Sequence, residues 1–542
     1  MLVANTTPPG TYNNRRLPSP STNWHRIPIG LSILFIAYIV YVLVVIGVHN
    51  GNNSSSTSTT SLRERNTIRS GPLLVHNNNN KIGVDSQQFM MRNSFLRRNE
   101  SAVHPPCVIP TQWITTMQSL LKVGGKRNKR PRTITELATW LAQQRSSRSR
   151  LGGGESNEYF APLLFDQMFE VEDNKARVFI PTLFEDRVRS MFAAYPGGTS
   201  SNLDFVQKQT VTVTRNKFTE ESSMFNELRR YRPGYQEKLS AELDEKVRSE
   251  YESGKGSDVC DFCSGNRTAE DIFGRMESTH CYTASNVAKY ETWHALVISR
   301  THNPIDVTVA GVVDYLDTAA RWFHAAHQQD QEAIFPHLMW DAGSRGSASQ
   351  THQHMQLILK KSRYLNKVEV GRIQAASFQE LHPSKNYWAE LVKAHVSLGL
   401  GLFLHSGTVA IISHVCPIKE REVLVVSLHP PSSSDNGQDK DDEGDEKRRR
   451  RHHFAEAIHL VLRTLIDDVG TRSFSLAVTF EPLVRSSSLR SVPFGVARIV
   501  DRGSPLDKRS DVGAMEFFGA NNVGADPYHI MPLLAARVNN HR

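Results

Sequence analysis

The sequence predicts an α+β fold: an internally duplicated unit of antiparallel sheets with packed helices, carried behind a single N-terminal transmembrane helix. Three observations predict it. Short apolar strands flank an amphipathic helix twice in the second half of the chain, a loop of small residues runs straight into a strand with polar groups at alternate positions, and an uncharged apolar run fills residues 29–48.

Residues 1–28 read as a short cytosolic tail. Ile29–Val48 is rich in Ile, Leu and Val and carries no charge, and at helical rise it crosses the ~30 Å hydrocarbon core of a bilayer. Its long apolar core, beginning well inside the chain, suits a retained signal anchor better than a cleaved signal peptide. Arg15, Arg16 and Arg26 precede it without an acid. That bias favours a cytosolic N-terminus and a single-pass type II protein of the ER or Golgi; a cytosol-facing catalytic domain stays open. Residues 49–105, with Ser54–Ser61 and Asn77–Asn80, have too little apolar content to fold and read as a disordered stalk. Sequons at Asn52, Asn53, Asn99 and Asn266 suit a lumenal glycoprotein.

Residues 106–150 read as a helical and basic segment, closed by the break Gly152–Gly154. The first half of the duplicated unit spans 155–390. It predicts a strand at Ala295–Ser299, a helix with Val309, Val312, Val313, Leu316, Ala319, Ala320 and Phe323 on one face, and strands at Ile334–Trp340 and His352–Leu359. The second half, 391–542, repeats this with strands at Val409–Ser413 and Val423–Leu428, a helix through Phe454, Ile458, Val461, Leu462 and Leu465, and strands at Phe474–Phe480 and Phe494–Ile499. Residues 430–451, packed with Ser, Asp, Glu, Lys and Arg, read as a disordered insertion.

At 542 residues with 39% apolar and 22% charged, the chain can bury one large or two medium cores. A net charge of +9 would suit nucleic acid, yet the basic residues collect in runs such as Lys126–Arg132 and Lys447–Arg451 with no aromatic interleaving, so no nucleic-acid partner is expected. Five cysteines, at 107, 260, 263, 281 and 416, are too few for a disulfide scaffold.

The chemistry gathers between Cys260 and Gln356. Strand alternation places His352, His354 and Gln356 on one face, where three polar groups among Met355, Leu357 and Ile358 are costly to bury without partners. The preceding loop, with Gly343, Gly346, Ser347, Ala348 and Ser349, lets backbone N–H groups approach an anion, and Arg345 adds positive charge. An imidazole beside a phosphate can attack phosphorus and store the transferred group as a phosphoramidate. His354, central in the trio, is the best placed. Taken alone, Cys260-Asp-Phe-Cys263 fits a disulfide or buried thiols as well as a metal.

Asp341 through Gln356 resembles the active-site segment of the histidine-triad superfamily, and specifically its galactose-1-phosphate uridylyltransferase-like branch, in which glutamine replaces the third histidine. The resemblance covers roughly residues 155–505 and implies a duplicated histidine-triad-like domain. It implies a structural zinc on Cys260, Cys263, His302 and His352, a closed tetrahedral set. It further implies that His354 carries the nucleotidyl group, that Gln356 hydrogen-bonds the transferred phosphoryl group, that Ser349 holds a phosphate of the second substrate, and that Asn286 lies near the nucleotide; a homodimer stays open. Asp341 departs from the family's asparagine at the loop entrance, which puts the sugar in doubt, and the strand Ser473–Val478 has no histidine, so no second metal is expected. The expected activity is transfer of a nucleotidyl group between a nucleotide sugar and a sugar 1-phosphate. Phosphorolysis or hydrolysis of nucleoside diphosphate sugars or dinucleoside polyphosphates is one alternative, and a non-catalytic binding module the other.

Overall fold

Val409–Ser413 and Val423–Ser427 are nearly unbroken apolar runs, the pattern of strands covered on both faces, and every residue in both is buried. They belong to a nine-stranded antiparallel sheet. In the computed structural model, residues 105–122, 130–150, 157–195, 198–231, 240–256, 258–429, 440–484, 492–506 and 513–540 are described. They lie in the compact unit Phe95–Arg542. The expected tail and anchor, and the stalk apart from Pro105, fall outside them. Among the described residues, no helix is long and apolar enough to cross a membrane.

A four-stranded sheet is formed by β1 (Phe169–Arg177), β2 (Lys208–Asn216), β3 (Ser222–Phe225) and, from the far end of the chain, β13 (Ala520–Val523), in the order β1-β2-β3-β13. The nine-stranded sheet contains β4 (Cys281–Ser285), β5 (Trp293–Ser299), β6 (Ala333–Ala342), β7 (His354–Lys361), β8 (Gly401–Leu404), β9 (Val409–Ser413), β10 (Val423–Ser427), β11 (Phe474–Phe480) and β12 (Gly495–Asp501). Its order is β4-β5-β7-β6-β11-β12-β10-β9-β8.

That order contains a repeat. The helix Val309–Gln329 connects β5 to β6, and the helix Lys440–Arg463 stands between β10 and β11. Around each helix the strands run in the same order, β4-β5-β7-β6 and β9-β10-β12-β11, and the two sets join along the β6·β11 seam. Leu296 faces Gln356 and Gln356 faces Met339 in the first set; Leu424 faces Arg498 and Arg498 faces Ala477 in the second; Met339 faces Ala477 across the seam. The two registers are equivalent residue for residue. Arg498 therefore stands where Gln356 does, Val496 where His354 does, and Glu422 where His294 does.

The two helices share one core with the sheet, through Tyr315, Leu316, Ala319 and Phe323 of the first and Phe454, Ile458, Val461 and Leu462 of the second. The second helix begins at Lys440, inside the segment expected to be disordered. Its basic run is ordered by specific partners: Arg451 and His452 both reach Asp317 on the first helix, and Arg450 lies over the Phe494 ring. The segment 106–150 is not separate either. Its helices Thr111–Lys122 and Ile134–Arg150 bury Trp113, Met117, Leu137 and Leu141 in the main core.

The opposite face of the large sheet is treated differently in its two halves. Over the second half sits the small sheet, tied down by Thr214 Oγ1 donating to Val415 O, Ser223 Oγ donating to Pro417 O, and Arg498 paired with Glu221. In the first half and at the seam, Gln356 and Met339 are only partly covered and Ala477 is exposed. The open ground lies at the first half.

Candidate functional site

The Cys-x-x-Cys segment folds as a single tight turn. Cys260 precedes the short helix Asp261–Ser264, Cys263 N donates to Cys260 O at 3.1 Å, and Gly265 takes φ +67° to end it. Both sulfurs then face the same way, toward His302 in the loop after β5 and His352 just before β7. One donor atom from each of the four residues lies within 4.8 Å of the others. His302 Nδ1 is 3.1 Å from His352 Nδ1 and 3.3 Å from Cys263 Sγ, and His352 Nδ1 is 3.5 Å from Cys260 Sγ and 3.4 Å from Cys263 Sγ.

These spacings suit a zinc ion. With Zn–N near 2.05 Å and Zn–S near 2.3 Å, tetrahedral edges come to about 3.3 Å for N–N and about 3.6 Å for N–S. Both cysteines are free thiols. His352 Nε2 donates to Ser299 O at 2.7 Å, which puts the ring proton there and leaves Nδ1 bare for a metal. His302 lacks that support, because its Nε2 is buried without a hydrogen-bond partner among the described residues. Burial holds the His352 pKa down to about 4, so the ring is neutral and able to ligate.

The structure separates His352 from the other two members of the expected trio. Strand β7 begins at His354, and His352 precedes it in the turn. His354 and Gln356 do share a face of β7, opposite Ile298 and Leu296 of β5. His354 is buried, and its Nδ1–H donates to the carbonyl of His352 at 2.8 Å, so Nε2 carries the lone pair. Burial pushes its pKa below the usual histidine value, against the opposing pull of the His352 carbonyl and Asp341. Phe262, from the Cys-x-x-Cys turn, sets its ring edgewise on both imidazoles, with centroids 5.8 Å from His352 and 5.2 Å from His354. The same short turn thus touches the metal ligand and the strand histidine.

The loop 343–351 differs from expectation in one respect. The N–H groups of Gly346, Ser347 and Ala348 are spent inside it, on Gly343 O, Ser344 O and Gly343 O. Gly343 at φ +74° and Ser347 at φ +74° make this tight turn. The groups left to meet an anion lie further on, at exposed Ser349, Gln350 and Thr351. Arg345 donates from Nε to Arg502 O at 3.1 Å, so its backbone-facing edge is held by the segment after β12. Asp341, at the end of β6, faces Ser475 across the seam. Burial raises its pKa, opposed by Ser475, Arg502 and His354.

Two residues that sequence reasoning passed over complete the site. His294, buried on β5, lies with Nε2 3.1 Å from Gln356 Oε1 and 3.1 Å from Asn286 Nδ2. Tyr290, in the β4–β5 turn, donates its hydroxyl to Gln356 Oε1 at 2.8 Å and packs its ring on His294 at 4.0 Å between centroids. Asn286 Oδ1 accepts from Ala288 N, shaping that turn. The signal for His294 was present: it has the strand parity of Leu296 and Ile298, and so shares a face with Gln356, but only pairing of β5 with β7 reveals it.

Fold and site together define a class: an antiparallel sheet with a zinc-compatible Cys2His2 centre beside a strand histidine and glutamine. No family model matches the chain, and no curated protein matches it in sequence. Solved structures similar to it include an ADP-glucose phosphorylase from Arabidopsis thaliana (15% identity, 59% of this chain and 97% of that one, TM-score 0.43). A uridylyltransferase is similar at 13% identity over 49% of this chain and 86% of that one, with a TM-score of 0.39. A zinc-bound histidine triad family protein from Mycobacterium smegmatis is similar at 23% identity over 24% of this chain and all of that one, with a TM-score of 0.18.

Proposed function

We propose that this chain is a nucleotidyltransferase of the uridylyltransferase-like type, built from two histidine-triad-like units of which only the first is active. The carrying observation is the His354 ring: its Nδ1–H is bound to the carbonyl of His352, which leaves Nε2 unprotonated on the face of β7 that Gln356 shares. In the first step Nε2 bonds to the α-phosphorus of a nucleotide sugar while the α–β anhydride bond breaks, and the sugar 1-phosphate leaves with the electron pair. In the second step a different sugar 1-phosphate attacks the same phosphorus and the N–P bond breaks, returning the pair to Nε2. Ser349, and the N–H groups after it, would hold phosphate oxygens, and Ser347 and Arg345 would line the loop they come from. Zinc on Cys260, Cys263, His302 and His352 would serve structure, fixing His352 and through its carbonyl the His354 ring.

The test is mass spectrometry after incubation with a panel of nucleotide sugars. The expected adduct is one nucleotidyl group on His354, absent from His354→Ala, which should also lose transfer by at least 10³-fold on the order of other nucleophile deletions. Transfer at the wild-type rate in that variant would sink the proposal.

One observation favours a second reading, in which orthophosphate or water takes the second step. Asp341 holds a carboxyl close enough to His354 for each to shift the other's pKa, and a carboxylate there can accept a proton from an incoming acceptor. Product analysis with orthophosphate, water or a hexose 1-phosphate separates the two. The membrane setting is proposed on Ile29–Val48 alone. Protease added to sealed vesicles should spare residues 106–542 if the protein is type II, and digest them if the catalytic part faces the cytosol.

A further inference from the structure

We infer that Tyr290 and His294 are positioning residues that lock the side-chain amide of Gln356, with its NH2 group turned toward the phosphoryl group in transit; the inference rests on the function proposed above. A glutamine side chain is ambiguous by shape. Its oxygen and its NH2 exchange places by a half-turn about one bond, and only hydrogen bonds decide between them. For a phosphoryl group whose equatorial oxygens gain negative charge, the two orientations have opposite effects: NH2 stabilises, carbonyl oxygen repels.

The structure decides the orientation from the far side. Gln356 Oε1 offers two lone pairs, and two donors meet it, the Tyr290 hydroxyl at 2.8 Å and His294 Nε2 at 3.1 Å. His294 acts as a donor there because its other nitrogen faces a donor: the Tyr290 backbone N–H points at Nδ1 across 3.5 Å. Burial lowers the pKa of this imidazole, which favours a single proton, and the Nδ1 contact places it on Nε2. Asn286 Nδ2 lies 3.1 Å from the same nitrogen and could claim it only if Nε2 were bare, which the Nδ1 contact opposes. Reversing the amide would set its NH2 against the His294 N–H, and only the Tyr290 hydroxyl could turn to accept from it. With the oxygen pinned, the NH2 faces the open side of the sheet, where Met339 and Ala477 leave space.

The second half shows the same positions put to another use. Arg498 replaces Gln356 and Glu422 replaces His294, and the two form an ion pair at 2.8 Å. A partner beside this position thus holds the side chain in both halves, but in the second the small sheet also covers it and adds Glu221 as a second partner.

Tyr290 is well exposed, so Tyr290→Phe should fold. His294→Leu removes the buried donor, and His294→Gln, whose amide NH2 can take the place of Nε2–H, serves as the conservative rescue. Each is incubated with UDP-glucose and ADP-glucose labelled at the α-phosphate, and label on His354 is followed by rapid quench, alongside zinc content and melting temperature. Tyr290→Phe should slow labelling about tenfold, the kinetic equivalent of one lost hydrogen bond, with the half-saturating sugar nucleotide concentration within about twofold of wild type. His294→Leu should slow it further, and His294→Gln should recover most of the rate. Wild-type labelling rates in both Tyr290→Phe and His294→Leu, or a loss in Tyr290→Phe that resides wholly in half-saturation, overturn the inference and leave the nucleotidyl-histidine reading standing. Absence of label in the wild type overturns both.

Discussion

Gly343 shows how narrowly a single residue can hold the site. At φ +74° it sits where side chains are strained, and a Cβ there would come 2.2 Å from Tyr251 Oη and 2.6 Å from Ser473 Oγ. The Tyr251 hydroxyl is held in place: its Oη donates to Arg472 O and lies against Ser473 Oγ. Gly343→Ala should therefore displace the 343–351 loop, costing about 2–3 kcal/mol in denaturant unfolding and lowering transfer far more than zinc content. Equal activity and stability would show that the loop absorbs the methyl. The glycine-rich character of this loop was legible in the sequence; that its first N–H groups close the turn rather than face an anion was not, because that depends on where Gly343 O points.

At the scale of elements, the short helix Asp261–Ser264 joins two jobs. Its flanking thiols complete the Cys2His2 cluster, and its Phe262 ring lies on His354. Elemental analysis should find one zinc per chain. Stripping it with a chelator, or substituting Cys260→Ser, should lower the melting temperature and raise the protease sensitivity of the 258–276 segment, since the metal would join this turn to His302 and His352. An unchanged melting temperature in zinc-free protein would remove the structural role. Strand β7 was legible from its alternation, and the cluster members through the family resemblance; β4 and β8 were not, since Cys281–Ser285 and Gly401–Leu404 are short and take their strand character from pairing with β5 and β9.

For the molecule as a whole, the duplicated sheet presents two equivalent positions for a site, and burial chooses between them. Over the second, the small sheet brings Glu221 to Arg498, which also holds Glu422. Burial alone would raise both glutamates; Arg498, with His414, pulls both below the usual glutamate value. Carboxylates depressed in this way add stability above their unfolded pKa and lose it only as pH falls through the folded value. Arg498→Ala leaves Glu422 charged and buried, so it should destabilise by about 3–5 kcal/mol at neutral pH, and the deficit should shrink as acid protonates the stranded carboxyl. A deficit independent of pH between 7 and 4.5 would mean that packing, and not charge, is lost.

The sequence by itself determined the α+β class and the repeat, because strand periodicity is a local property of the chain, and its resemblance to a known active-site segment singled out Cys260, Cys263, His302 and His352. Only the tertiary structure decided which half is open, that residues 440–451 are helical, and that Tyr290 and His294 stand behind Gln356. The small sheet that covers the second half draws β13 from residues 520–523 to pair with β3 at residues 222–225. The partners of the basic run and of Gln356 likewise come from other elements. No local pattern encodes such contacts, since they exist only once strands distant in sequence have found their register.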